Sequence, residues 1–426
     1  MAAALPQLDE LFRHRYGAMV AGLCRVLGAE RLDLVEDVVQ EAMLRALRRW
    51  PAEGVPERPD AWLFAVARNL ALDALRRRRL AARVETELAH WAAAAGAVDA
   101  PRGDELGDEL GDDTLRMMFA CCHPAVPADA RIALVLKTVA GFGVPEIAAA
   151  LLQKEATIAQ RLVRAKARLQ REVVELVVPP PSELPARLAT VLDVLYLMFN
   201  EGYRAHRGAE LVRGDLVQEA VRLAGLLLEQ PATRGPEVHA LLALLLLQGA
   251  RLPARLDTMG EVLTLAEQDR GRWDPEWLRC GFWHLRAAMG GERLTAWHVE
   301  AGIASVHAAA SDYASTDWRQ VLGWYDRLVQ VADAPLVRLN RAIAVAKLQG
   351  AAAGLRELAD PRVATALEGY QLWWAVRAQL AWTVGELGDA AASLQRALAC
   401  GGTEPEQRLL ARRLAAVQRG EPAPVW

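Results

Sequence analysis

An all-α protein is what this sequence predicts: helices packed on helices, in successive blocks. Three observations predict it. Alanine and leucine dominate an apolar fraction of 53%, and both are strong helix formers. Aromatic residues make up only 6% and β-branched runs are scarce, so little in the chain favours strands. Apolar residues also recur at three- and four-residue spacing in every block, the period of a helix with one buried face. At 426 residues the chain is sized for two or three domains.

Two breaks mark the blocks. Val84 to Asp113 contains the tandem GDELGDELGDD and carries nine acidic residues against Arg102 alone, about −8 locally. That is the profile of a solvated linker. Pro179-Pro180-Pro181-Ser182 is a run that no helix interior tolerates. The expected domains are therefore 1–83, a linker at 84–113, 114–175 and 182–426.

In the first block Leu32, Val35, Val39, Ala42 and Ala46 fall at helical spacing, leaving Asp37, Gln40, Glu41, Leu44 and Arg45 as the opposite stripe. A second helix runs from Pro59 to Arg79, with Asp60 suited to its start. Trp62, Val66, Asn69, Asp73 and Arg76 line one stripe of it, and Arg76, Arg77, Arg78 and Arg79 spread around its end, a surface suited to a phosphate backbone. Tryptophan, asparagine and arginine together can stack on and hydrogen-bond an unpaired base. A core role for Trp62 is the competing reading.

The second block contains GVPEIAAALLQKEATIAQRLVRAKARL, from Gly143 to Leu169. Pro145 suits a helix start; Ile147, Ala148 and Leu151 give one apolar face, a turn follows at Leu152–Lys154, and Ile158 and Leu162 resume the face. This is a helix–turn–helix pattern. Its second helix presents Glu155, Thr157, Gln160, Arg161 and Arg164, with Lys154 before them and Lys166 and Arg168 beyond. Such a helix can enter the major groove. From Arg131 to Arg171 eight cations face two acids, about +6, against a chain net charge of −3. A plain solvated helical hairpin is the competing reading.

The third block is the richest in leucine and alanine. Ala342–Leu358 and Ala378–Leu398 share one design, with Gly350 and Gly388 38 residues apart, and GDAAASLQRAL has the small residues of a tetratricopeptide (TPR) helix. A TPR-like repeat is expected.

Taken together, these motifs resemble one family. VEDVVQEAMLRAL followed by PDAWLFAVARNLALDALRRRR resembles region 2 of bacterial RNA polymerase sigma factors of the extracytoplasmic-function (ECF) group. Asp113 to Leu169 is similar to region 4, with EATIAQRLVRAKARL as its recognition helix. The remainder, through VLDVLYLMFNEGYRAHRGAELVRGDL, LLLLQGARLPARLD, EQDRGRWD and LNRAIAVA, is similar to the TPR-like extension of an ECF subgroup that lacks an obvious anti-sigma partner.

The resemblance implies a non-catalytic subunit that binds core RNA polymerase and promoter DNA. It assigns Asp37, Gln40, Glu41, Leu44 and Arg45 to the polymerase. It assigns Trp62, Asn69, Asp73, Arg76, Arg77, Arg78 and Arg79 to the unpaired −10 strand. Lys154, Glu155, Thr157, Gln160, Arg161, Arg164 and Lys166 fall to the −35 duplex. The third block is expected to support or regulate that activity, through an intramolecular or protein partner. The alternative is a TPR-containing helix–turn–helix regulator or ligand sensor that is not a polymerase subunit.

Other function classes find little support. Five scattered cysteines argue against a disulfide framework and for a reducing compartment. The N-terminus has no signal-peptide pattern, and the longest apolar run, Ala240 to Leu247, is far short of the ~20 residues of a membrane span. A cytoplasmic protein with no membrane contact is expected. Cys121-Cys122-His123 lacks the spacing of a zinc site. Asn200-Glu201-Gly202-Tyr203, with His206 and Glu210, reads as partner-binding or hairpin-closing rather than acid/base chemistry. Glu267-Gln268-Asp269-Arg270 with Arg272-Trp273-Asp274 reads as an intramolecular network or a ligand-binding rim. No P-loop, Rossmann glycine pattern or nucleophile elbow occurs, so neither enzymatic activity nor a cofactor or metal is expected.

Overall fold

Helices account for the regular structure throughout. The computed structural model describes residues 4–82, 113–151, 153–172, 176, 179–205 and 211–425. The expected linker over 84–112, His206, Glu210, and the side chains of Arg78 and Arg79 lie outside the described residues. Among those described there is no strand, only one antiparallel bridge between Leu256 and Val262. No helix among them is long and apolar enough to cross a membrane.

The chain divides into two compact units, Met1–Met198 and Phe199–Trp426. The first opens with α1 (Ala4–Leu27), α2 (Leu32–Glu53) and α3 (Pro59–Ala82), which pack as a bundle. Leu32, Val35, Val39, Ala42 and Ala46 of α2 are all buried in it. Gly54, at φ 87°, ends α2 in a conformation that a side chain would strain. Next come α4 (113–121), α5 (Ala128–Thr138), α6 (Val144–Ala150), α7 (Glu155–Glu172) and α8 (Leu184–Tyr203). Both α5 and α6 pack on α7, whose buried stripe is Ile158, Leu162, Ala165 and Leu169. This amphipathic face, rather than local propensity, is what holds a helix so rich in charge.

The division between units falls inside α8, past the proline run. Leu184, Val191, Leu192, Val194, Leu195 and Met198 of α8 are buried and belong to the first unit. Asp113 is not part of a solvated linker, contrary to what its sequence context predicts: it is 2% exposed at the start of α4, and Arg25 Nε (2.7 Å) and Arg116 Nη1 (3.1 Å) hold its carboxylate. Burial raises its pKa, against the pull of the two arginines.

In the second unit helices pack on their neighbours: α9 (Gly214–Glu229) on α10 (Pro236–Gly249), α10 on α11 (Pro275–Ala288) and α12 (Ala296–Ala309), α12 on α13 (Trp318–Val331), α13 on α14 (Pro335–Gln349), and α14 on both α15 (Ala351–Leu358) and α16 (Pro361–Leu367). The chain then runs through α17 (Gln371–Thr383), α18 (Leu387–Ala399) and α19 (Glu404–Gln418). Proline at the first turn of α10, α11, α14, α16 and α19 costs no hydrogen bond there and presets φ. The two glycines of the expected repeat differ in conformation. Gly350, with φ of 89°, ends α14 in left-handed backbone, as Gly385, with φ of 86°, does after α17, while Gly388 lies within α18.

Candidate nucleic-acid interface

Start with α2. Leu34, Val35, Val38, Val39 and Ala42 are buried, and Asp37, Gln40, Leu44 and Arg45 are exposed, with Glu41 intermediate. Arg45 Nε donates to Glu41 Oε1 at 2.9 Å across one helical turn. Leu44 stands 45% exposed in the middle of this polar stripe, an apolar spot rimmed by charge of the kind that partner contacts use.

Along α3, Asn69, Asp73, Arg76 and Arg77 are exposed. Arg76 Nη1 lies 3.5 Å from Asp73 Oδ1, and Arg77 Nε donates to the Asp73 carbonyl at 3.3 Å. Both arginines are solvated and weakly held, so a phosphate can recruit them. Trp62 is half-buried, with its ring edge-on to Trp50 at 5.4 Å and 62°. It serves the bundle while keeping part of its surface open.

The helix–turn–helix is built by α6 and α7. Gly143 N donates to Glu146 Oε2 at 2.6 Å, capping α6. Ile147 and Ala148 are buried at the crossing. On α7 and the turn before it, Lys154, Glu155, Gln160 and Arg164 are exposed and Thr157 is intermediate. Two of the expected cations are otherwise engaged. Arg161 Nε pairs with Asp129 Oδ2 at 3.0 Å. Lys166 Nζ pairs with Asp33 Oδ1 at 2.9 Å and Glu36 Oε2 at 2.6 Å, and Gln170 Nε2 donates to Asp33 Oδ2 at 2.8 Å. Burial pulls the Lys166 pKa down, but the Glu36 and Asp33 carboxylates more than reverse it, leaving it raised.

The C-terminal half of α7 is therefore latched to the start of α2. Sequence reasoning missed Asp33, Glu36 and Asp129, because pairing between separate helices, across 130 residues for Glu36 and Lys166, leaves no periodic signal. It also passed over Val163, a large apolar residue of α7 that is 69% exposed. Close approach accompanies the latch: a Cβ at Gly17 of α1 would lie 1.7 Å from the Val139 carbonyl oxygen, so only glycine fits.

Cys121 and Cys122 are both buried. Burial pushes the Cys121 thiol up to about 12 and Cys122 also upward, so neither is a ready thiolate. In the second unit Gly202 lets the end of α8 meet the backbone of Arg213 and Val217, where a Cβ would come within 2.8 Å of each. The glycine of the Asn200–Tyr203 motif is thus explained by packing.

Comparison with known proteins places these features. Residues 12–81 match the family model for sigma-70 region 2, and residues 116–169 that for sigma-70 region 4. Residues 187–289 match a family of unknown function, DUF6596. An uncharacterized protein of Rhizobium meliloti (strain 1021) is 38% identical over 408 residues, 93% of this chain and 94% of that one. A probable RNA polymerase sigma factor of Xanthomonas campestris pv. campestris is 31% identical over 177 residues, 40% of this chain and 43% of the relative. No solved structure matches. A plain helix–turn–helix regulator has no use for a region 2 bundle, and here that bundle and region 4 occur together. The chain belongs to the ECF-type RNA polymerase sigma factors with a C-terminal helical extension, and its role is in transcription initiation.

Proposed function

We propose that the two sigma regions divide the work by surface. The α2 stripe of Asp37, Gln40, Glu41, Leu44 and Arg45 docks on core polymerase. Asn69, Asp73 and Arg76 to Arg79 on α3, with the open part of Trp62, take the unpaired −10 strand, where capturing bases out of the stack costs a few kcal/mol that pocket contacts offset. Lys154, Glu155, Thr157, Gln160 and Arg164, with Val163 available for a thymine methyl, read the −35 duplex in the major groove. Arg161 and Lys166 join them once DNA phosphates replace Asp129, Asp33 and Glu36. The protein works in the cytoplasm as a non-catalytic subunit, and the C-terminal unit supports its activity.

The observation that carries this reading is the exposed α2 stripe opposite a wholly buried valine face, on the segment that matches region 2. The test is transcription from a defined promoter with purified core polymerase. Charge reversal at Asp37, Glu41 and Arg45 is expected to abolish co-purification with polymerase while leaving the helical circular-dichroism signal intact. Arg164→Ala is expected to lose about 1–3 kcal/mol of −35 discrimination. A triple variant that still transcribes from the correct start site overturns the assignment of α2.

A further inference from the structure

Three arginines of the second unit sit together, and no carboxylate among the described residues pairs with them. Arg251 and Arg255 flank the short turn Leu252–Ala254, and Arg270 opens the next, Arg270–Arg272. Arg255 is 9% exposed, with its guanidinium 3.9 Å from the Tyr203 ring centre and donating to the Tyr203 carbonyl. Arg251 and Arg270 both lie over the ring of Trp273, at 5.6 and 4.9 Å. Arg270 donates to the carbonyls of His307 and Ala310, the latter at 2.6 Å, and to Thr316 Oγ1 at 3.2 Å. Arg251 has one side-chain acceptor, Gln268 Oε1, at a long 3.4 Å.

Among the described residues none of the three forms an ion pair. Other inner arginines of this unit do: Arg204 with Glu406 at 2.5 Å, Arg341 with Asp326 at 2.8 Å, and Arg377 with Asp389 at 2.7 Å. The nearest carboxylate influence on Arg270 is Asp312, itself exposed and bonded to Ser315. Burial and mutual repulsion lower the pKa of Arg270, while burial opposes the charge of Arg255 despite the favourable Tyr203. Burial, and then Arg251 and Arg270, hold His307 down to about 4.

An independent observation says what is missing. Arg270 Nε and Trp273 Nε1 are buried donors without an acceptor, and His307 Nδ1 beside them is also unpaired; Trp273 is only 4% exposed. Unpaired donors and uncompensated positive charge call for the same thing, an anion with several acceptor oxygens. The Tyr203 side chain gives Arg255 an acceptor, but the face of Trp273, which can temper the charge of Arg251 and Arg270, offers no lone pairs to their N–H groups.

We infer that the C-terminal unit carries a binding site for a small-molecule oxyanion, a carboxylate or a phosphate, held by Arg251, Arg255 and Arg270 against Trp273. A planar guanidinium takes such an anion in a two-pronged fork. The partial burial of the cluster suits a small ligand better than a flat protein surface. This site would give the extension a signal of its own, and its existence does not depend on how the sigma regions contact polymerase.

The experiment uses the full chain in chloride buffer at fixed ionic strength, titrated with inorganic phosphate in one arm and acetate in the other. Thermal unfolding and calorimetry are read. One of the two anions is expected to bind saturably and raise Tm, and which one responds distinguishes phosphate from carboxylate ligands. Arg251→Gln is expected to weaken that binding by about tenfold or more while leaving the anion-free Tm unchanged or higher, because one of the repelling charges is gone. A purely structural arginine gives the opposite sign, a lower Tm. Arg270→Lys, which keeps the charge and loses the fork, provides a second variant should the first not fold. No saturable response to either anion, or equal responses in wild type and variant, overturns the site.

Discussion

His239 and His284 share one hydrogen bond, with their Nδ1 atoms 2.9 Å apart, so one ring donates and the other accepts. The pair links α10 to α11, and the Trp283 ring packs edge-on to both. Burial, and then the neighbouring His239, hold His284 down to about 4. An unfolded histidine titrates near 6.5, so on acidification the unfolded chain takes the proton first. Stability is whole above about pH 6.5 and is lost as pH falls towards 4. Tm measured from pH 7 to 4.5 is expected to fall, and His284→Gln should flatten part of that fall. His307, depressed likewise to about 4, keeps part of the rest, as do His123, His239 and His298, which burial also holds down. An unchanged slope in the variant would show that the pair does not titrate in this window. The histidines themselves were visible in the sequence, but their pairing across 45 residues was not.

Between elements, the contact that matters most is α7 on α2. Glu36 is 5% exposed, and Lys166 is the cation that pairs with it at 2.6 Å. Lys166→Ala leaves that carboxylate buried and unpaired, at an expected cost of roughly 3 kcal/mol. Adding Glu36→Gln removes the stranded charge, so the double variant is expected to recover much of the loss. Denaturant unfolding of the four members of this cycle gives the coupling energy. A coupling near zero would mean that the pair is solvated and that the latch contributes nothing. Hydrogen exchange adds a local readout, because opening the latch should speed amide exchange at residues 32–36 and 166–170 before the bundle itself unfolds. Both faces of this contact were legible as amphipathic helices, yet the partnership between them came from the fold.

At the scale of the molecule, the compact division at Met198–Phe199 changes where the chain can be cut. A chain ending at Pro181 loses α8, whose buried Val191, Leu195 and Met198 belong to the first unit. A chain ending at Tyr203 keeps α8 whole. The shorter chain is expected to unfold several degrees below the longer one, since losing a few buried aliphatic side chains costs about 2 kcal/mol each. Equal melting of the two would show that α8 adds nothing to the first unit. Only the longer chain, then, gives a clean reading of what the C-terminal unit contributes to transcription. The sequence by itself determined the all-α class, the helix–turn–helix and the polar stripes of α2 and α3, because helix periodicity, capping residues and local charge act within a few residues of one another. Tertiary structure alone decided that Lys166 and Arg161 are occupied, that Asp113 is buried, that Gly385 and not Gly388 takes left-handed backbone, and that three arginines converge with no ion pair among the described residues. Each of these depends on distant segments meeting in space, and no spacing along the chain encodes which carboxylate, backbone or ring a side chain will find there.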